Sequence, residues 1–132
     1  EGDRDDHVGD DRNHGVLAAK MLVLNALERL LPERIIRTNA PSTARLTLNH
    51  QPAKDRYILH VLHYIPECRS RDVDVIEDVI PLYGVEANVR IPKKISRVCL
   101  APSGDSLEFD RIDGRIKIRI PEVRGHQMVV FE

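Results

Sequence analysis

Asp72, Asp74, Glu77 and Asp78 form the densest acidic group in the second half of the chain, so carboxylate chemistry is the first possibility to weigh. Hydrolysis of a glycoside needs two carboxyl groups held across the scissile bond, one as acid and the other as nucleophile or base. Asp72 and Asp74 alternate with Val73 and Val75. That pattern suits a solvated edge strand or loop better than a pair of opposed catalytic groups. A loop of this kind can still reach a neighbouring domain.

Imidazole is the usual general base and the commonest metal ligand, and His60 and His63 stand three apart in a β-rich run. On a strand that spacing places them on opposite faces, which prevents joint ligation of one metal. His50 is within reach of either one across a hairpin, but no cysteine or carboxylate at ligand spacing completes a set. His126, after Gly125, reads as a local hydrogen-bonding residue at a strand start. Cys68 and Cys99 lack the closely spaced pairing of a zinc or redox motif. Two isolated thiols of this kind stay reduced in a cytosol, so the expected compartment is cytoplasmic.

Neither a Gly-x-Ser-x-Gly elbow nor a phosphate-cradling glycine loop occurs. No catalytic residue, cofactor or metal is therefore expected. There is no tryptophan, and Tyr57, Tyr64, Tyr83, Phe109 and Phe131 are the only aromatic platforms for a sugar face; such residues more often fill a core. Tyr64, Tyr83 and the Asp72, Asp74, Glu77 and Asp78 stretch are the weak candidates for sugar or interdomain contact. Arg69, Arg71, Lys93, Lys94 and Arg97 lie between strands without interleaved aromatics, which speaks against nucleic acid.

The elements that must position these groups change character along the 132 residues. Residues 1–12 carry Asp3, Asp5, Asp6, Asp10 and Asp11 with only Val8 apolar, a flexible acidic tail. Residues 13–32 read as an amphipathic helix capped by Asn13 and stopped by Pro32. Its stripe of Leu17, Met21, Leu24, Leu27 and Leu31 is widened by Val16, Val23, Ala26 and Leu30. A stripe this wide wants cover from more than one neighbour, so these five residues are candidate docking positions. The run is too short and too polar to span a bilayer. Acidic residues precede it, unlike a signal peptide. With 20 basic against 21 acidic residues, no overall field recruits nucleic acid or an anionic membrane.

Residues 33–132 change to a period of two. Residues 44–49 alternate cleanly, and 56–64 put Tyr57, Leu59, Val61 and His63 on one face and Ile58, His60, Leu62 and Tyr64 on the other. Further strands are expected at 79–83, 85–91, 96–100, 106–111, 115–120 and 126–131. Gln51-Pro52, Tyr83-Gly84, Pro92-Lys93-Lys94, Pro102-Ser103-Gly104-Asp105 and Asp113-Gly114 separate them. Asp113-Gly114 is the strongest hairpin signal, because both central turn positions need positive φ. The pattern predicts a mainly β chain, an antiparallel sandwich of about 7–9 strands with one N-terminal α-helix.

Four segments carry a family resemblance: Asn25-Ala26-Leu27-Glu28-Arg29-Leu30-Leu31-Pro32, Thr38-Asn39-Ala40-Pro41-Ser42-Thr43, Leu59-His60-Val61-Leu62-His63-Tyr64-Ile65-Pro66-Glu67 and Gly125-His126-Gln127-Met128-Val129-Val130. They resemble the C-terminal end of large bacterial glycoside hydrolases of the β-galactosidase or α-L-fucosidase-like kind. In these a catalytic TIM barrel is followed by a β-galactosidase trimerisation-type domain. The resemblance runs from residue 14 to the end. It implies that the helix is the last helix of the middle domain and that the strands form the small C-terminal β-sandwich. The family's catalytic acid and nucleophile belong to the barrel, and no position here matches a barrel motif. The expectation is a non-catalytic accessory domain that packs against preceding domains of the same polypeptide or supports a homo-oligomer. The alternative is a carbohydrate-binding module.

Overall fold

The computed structural model describes the backbone of residues 11–132 and the side chains from residue 17 onward. The chain divides into two compact units at Arg34. The expected tail lies mostly outside the described residues, but Asp11 and Arg12 are helical.

The first unit contains helix α1 (Asp11–Leu30). Asn13 lies inside it rather than capping it, because the backbone is already helical two residues earlier, a shift typical of helix ends. At the C-terminal end Leu31 N donates to Leu27 O at 2.8 Å. The Arg34 guanidinium donates to Leu24 O at 3.5 Å and pairs with Glu28 at 3.8 Å. A cation there complements the negative end of the dipole, and Pro32 cannot continue the ladder. At about 100° per residue, Leu22 falls opposite the Leu17, Met21, Leu24, Leu27 and Leu31 stripe while Leu30 flanks it beside Leu27, and all seven are exposed. The apolar surface is thus wider than one amphipathic stripe.

The second unit has ten strands: β1 (Ile36–Thr38), β2 (Ala44–Gln51), β3 (Arg56–His63), β4 (Glu67–Ser70), β5 (Val73–Val75), β6 (Leu82–Val89), β7 (Val98–Ala101), β8 (Phe109–Ile112), β9 (Arg115–Val123) and β10 (His126–Phe131). Antiparallel pairing orders them as β1-β6-β9-β8 in one sheet, β2-β3-β10-β7 in a second, and β4-β5 as a separate ribbon. The count exceeds the expected seven to nine because β1, β4 and β5 are short segments with little periodicity. Leu59, Val61, Val129 and Phe131 of the second sheet share one core cluster with Val85, Ala87, Val89, Ile116, Ile118, Ile120 and Val123 of the first. A mainly β architecture consistent with the expected sandwich results.

The turn chemistry works as read at Asp113 (φ 52) and Gly114 (φ 72), which join β8 to β9 with Ile112 opposite Arg115. Tyr83-Gly84 is a correction, because it does not separate two strands. Tyr83 pairs with Glu122 and Val85 with Ile120, leaving Gly84 across from Pro121 inside a continuous ladder. Proline offers no N–H there, and Gly84 takes a φ of 63. The inward sets shift together at this point, to Leu82 and then Val85 on β6 and to Ile120 and then Val123 on β9. Matched irregularities on both strands preserve the register while changing which residues face the core.

A smaller cluster of Ile58, Cys99 and Val130, with Ala101 and Met128 against it, forms apart from the main core. Strand alternation puts Ile58 and Val130 on the face away from it. At the β2–β3 turn Asp55 adopts φ 45, and Lys93 donates to its carbonyl and, at 2.6 Å, to its carboxylate. Lys93 thereby ties a strained turn to the segment after β6.

Candidate functional site

Between β3 and β6 the chain leaves the two sheets. This excursion, residues 64–81, contains the β4-β5 ribbon and all four acidic candidates. Its anchor is His63, a buried polar residue at 3% exposure on the core-facing side of β3. A carbonyl can only accept, so Nδ1–H donates to Ile80 O at 3.0 Å. The other nitrogen, Nε2, pairs with Thr43 Oγ1 at 3.0 Å. Nδ1 thus fastens the far end of the excursion to the sheet while Nε2 is taken by Thr43 just ahead of β2, a structural use of imidazole.

Tyr64 closes the near end. A Cβ added to Gly125 would lie 2.5 Å from its hydroxyl oxygen, so the ring rests against the turn between β9 and β10. His63 N donates to Gly125 O at 2.7 Å in the same turn. On the ribbon, Cys68 sits opposite Asp74 and Glu67 opposite Val75. Arg69 joins Glu67 at 3.2 Å and also pairs with Glu77. Glu77 is therefore held in an ion pair, while Asp72, Asp74 and Asp78 stand exposed around it.

The structure does not gather the sequence candidates into one groove. Tyr64 belongs to the end of β3, whereas Tyr83 lies on β6 of the other sheet, opposite Glu122 and 69% exposed. What does gather in this region is apolar surface. Among the described residues from 35 onward, six exposed large hydrophobics, Tyr64, Ile65, Val73, Ile76, Val79 and Ile80, lie on the excursion, and Ile35, Leu62, Tyr83 and Ile112 lie on other parts of the unit. The sequence reading missed this surface because Val73, Val75 and the neighbouring acids look like an ordinary edge strand.

His60 and His63 take opposite faces of β3 as their spacing predicts, whereas His50 and His126 find partners other than the expected ones. His50 approaches neither His60 nor His63; it stacks on its register partner Tyr57 with ring centroids 4.4 Å apart. His60 Nδ1 and His126 Nε2 are 3.1 Å apart, with rings within 10° of parallel and centroids 5.3 Å apart. That combination describes an edge-to-edge imidazole hydrogen bond rather than face stacking. Among the described residues, no group of three or more His, Cys, Asp or Glu side chains is placed to hold a metal.

The basic residues named from sequence also serve apart. Lys93 holds Asp55 and keeps its carboxyl below the ordinary carboxylate value, chiefly through the hydrogen bond and then through its charge. Arg69 is engaged on the ribbon. A cationic cluster the sequence did not disclose joins Arg37, Arg90 and Arg115, which strand pairing brings to one end of the first sheet. Burial, and then the charges of Arg37 and Arg90, lower Arg115 from the ordinary arginine value. An open groove of ≈ 820 Å³ on this sheet is lined by Glu86, Glu108, Asp110, Lys117 and Arg119 among others. Lys117 pairs with Glu86 at 3.6 Å and sits opposite Asp110, a mixed-charge ladder of the kind that supports a sheet face.

No protein-family model matches the chain, and no curated protein matches it. Among solved structures, it is similar to the alpha-L-fucosidase isoenzyme 2 from Paenibacillus thiaminolyticus. The two share 41% sequence identity and a TM-score of 0.80 over 90% of this chain, but the match spans only 18% of the fucosidase chain. The resemblance to a large glycoside hydrolase is therefore shown, and the small share of that chain is consistent with a C-terminal region. A cycloisomaltooligosaccharide glucanotransferase from Paenibacillus sp. matches 73% of this chain, and 16% of its own, at a TM-score of 0.52 and 17% identity. At that identity the likeness concerns the fold alone.

Proposed function

We propose that this chain is a non-catalytic accessory domain of a glycoside hydrolase of the α-L-fucosidase-like kind. Its role is to pack, as a β-sandwich preceded by a helix, against the preceding domains of the same polypeptide and to support their assembly. The observation that carries this reading is the 41% identity over 90% of the chain combined with the 18% share of the fucosidase. A unit that takes up so small a part of a related enzyme has a supporting role available to it without a complete catalytic apparatus of its own. On this reading the helix residues Leu17, Met21, Leu24, Leu27 and Leu31 dock against the domain to which the helix belongs.

The role in assembly is mechanical. The inward faces of two sheets close over a core that needs no partner, while apolar side chains on the helix and on the 64–81 excursion remain exposed. Burial of such surface at a domain interface is the main driving force for docking. The test is to express the reading frame that contains this chain and, separately, the 132-residue chain, and to assay both on nitrophenyl fucoside and nitrophenyl galactoside. Hydrolysis is expected from the longer protein only. Turnover by the short chain alone overturns the reading.

A further inference from the structure

We propose that the apolar surface of the 64–81 excursion is the face against which the preceding part of a longer polypeptide packs; this rests on the accessory-domain reading. Three observations carry it. The first is concentration, since six exposed large hydrophobics lie within residues 64–81 and four lie in all the rest of the second unit. Scattered surface leucines and isoleucines need no explanation, whereas a concentrated set marks an interaction site.

The second observation is that the surface is held in shape. The His63 ring fastens Ile80, Tyr64 leans on Gly125, and Arg69 links Glu67 to Glu77 across the ribbon. A surface fixed beforehand loses less conformational entropy when a partner covers it. The His63 to Ile80 bond thereby ties the start of the excursion to its end.

The third observation is chemical and sets the partner. Within 64–81, the five acids Glu67, Asp72, Asp74, Glu77 and Asp78 outnumber the two cations Arg69 and Arg71, a net charge of −3. The matching surface is apolar at its centre and carries lysine or arginine at its rim. Because 82% of the related fucosidase chain lies outside the match, most of such a polypeptide is available to supply that surface. The assignment differs from the helix stripe in lying wholly within the β unit.

Cys68 supplies a native reporter, because it is exposed on β4 whereas Cys99 is buried. Maleimide labelling of Cys68, followed by peptide mass spectrometry, is compared in the 132-residue chain and in the polypeptide expressed from the longer reading frame. Labelling is expected to slow at least about tenfold in the longer protein, as protection by a docked surface requires. The pair Ile76→Asp and Ile80→Asp restores fast labelling there, while Ile112→Asp, on β8 outside the excursion, leaves it slow. Equal rates in the two proteins overturn this interface and leave the accessory-domain reading standing. Slowing of the short chain with its own concentration overturns it in favour of a second copy. Absence of any longer reading frame overturns the accessory-domain reading itself.

Discussion

The two-sheet body and the 64–81 excursion use the same apolar residue types in opposite ways. In the body Val85, Val89, Ile118 and Ile120 are at most 3% exposed, whereas in the excursion Val73, Ile76, Val79 and Ile80 are 40% to 53% exposed. The body is held by apolar burial across two sheets. The excursion is held by the His63 hydrogen bond to Ile80 at its far end, by the Tyr64 ring against Gly125 at its near end and by Arg69 in its middle. Hydrophobicity alone therefore does not tell which residues stabilise the isolated chain. What decides is whether a second sheet lies opposite.

The largest break is expected in the body. Phe131 is fully buried in the shared core, so Phe131→Ala should lose about 3–5 kcal/mol in urea unfolding. A loss below about 1 kcal/mol would show that the two sheets do not depend on one core.

Next comes the seam between the two regions. Gly125→Ala meets both a φ of 72 and a Cβ position 2.5 Å from the Tyr64 hydroxyl oxygen. Gly114→Ala meets the same φ of 72 in open space and should cost about 1–2 kcal/mol from backbone conformation alone. The Gly125 variant should cost more, and Tyr64→Ala in the same chain should recover part of the excess. Equal costs for the two glycine variants would remove Tyr64 from the seam.

His63→Leu is expected to lose about 2 kcal/mol by leaving Ile80 O and the Thr43 hydroxyl without this partner. Hydrogen exchange should speed up in 64–81 and stay slow in β9 and β10. Uniform acceleration would mean that the excursion and the body open together.

A smaller effect concerns the rim of the body. The Lys93 hydrogen bond and charge depress the Asp55 carboxyl below its ordinary value of 3.8. Stability from that pair is present above 3.8 and is lost as pH falls through the lower folded value. Lys93→Met should therefore lower Tm at neutral pH, and its difference from the parent chain should shrink in strong acid. A difference that persists there would assign the effect to something other than this carboxylate. Smallest of all, Ile76→Asp should change the stability of the isolated chain by less than about 0.5 kcal/mol, in contrast to any core position.

Much of the body was legible in sequence because strand alternation and turn chemistry act locally. β10 falls at 126–131 as read, the face assignments on β3 hold, and Asp113-Gly114 makes its hairpin. Gly84 misled because a glycine at positive φ ordinarily ends a strand, and its compensation by Pro121 comes from a distant segment. Asn13 misled because a good cap residue is tolerated within a helix. The excursion was the least legible part. Its acids were visible as a group, but the His63 to Ile80 fastening and the Tyr64 contact with Gly125 are made only after folding. The Arg37, Arg90 and Arg115 cluster was hidden for the same reason, since pairing of β1, β6 and β9 assembles it.

The account is tested most directly by hydrogen–deuterium exchange on the isolated chain and on the polypeptide from the longer reading frame. Slow exchange in β3, β6, β9 and β10 is predicted in both, with new protection in the second unit concentrated in 64–81 of the longer protein. Unchanged exchange in 64–81, or protection gained equally throughout the two sheets, would contradict a self-sufficient body carrying a surface that awaits its partner.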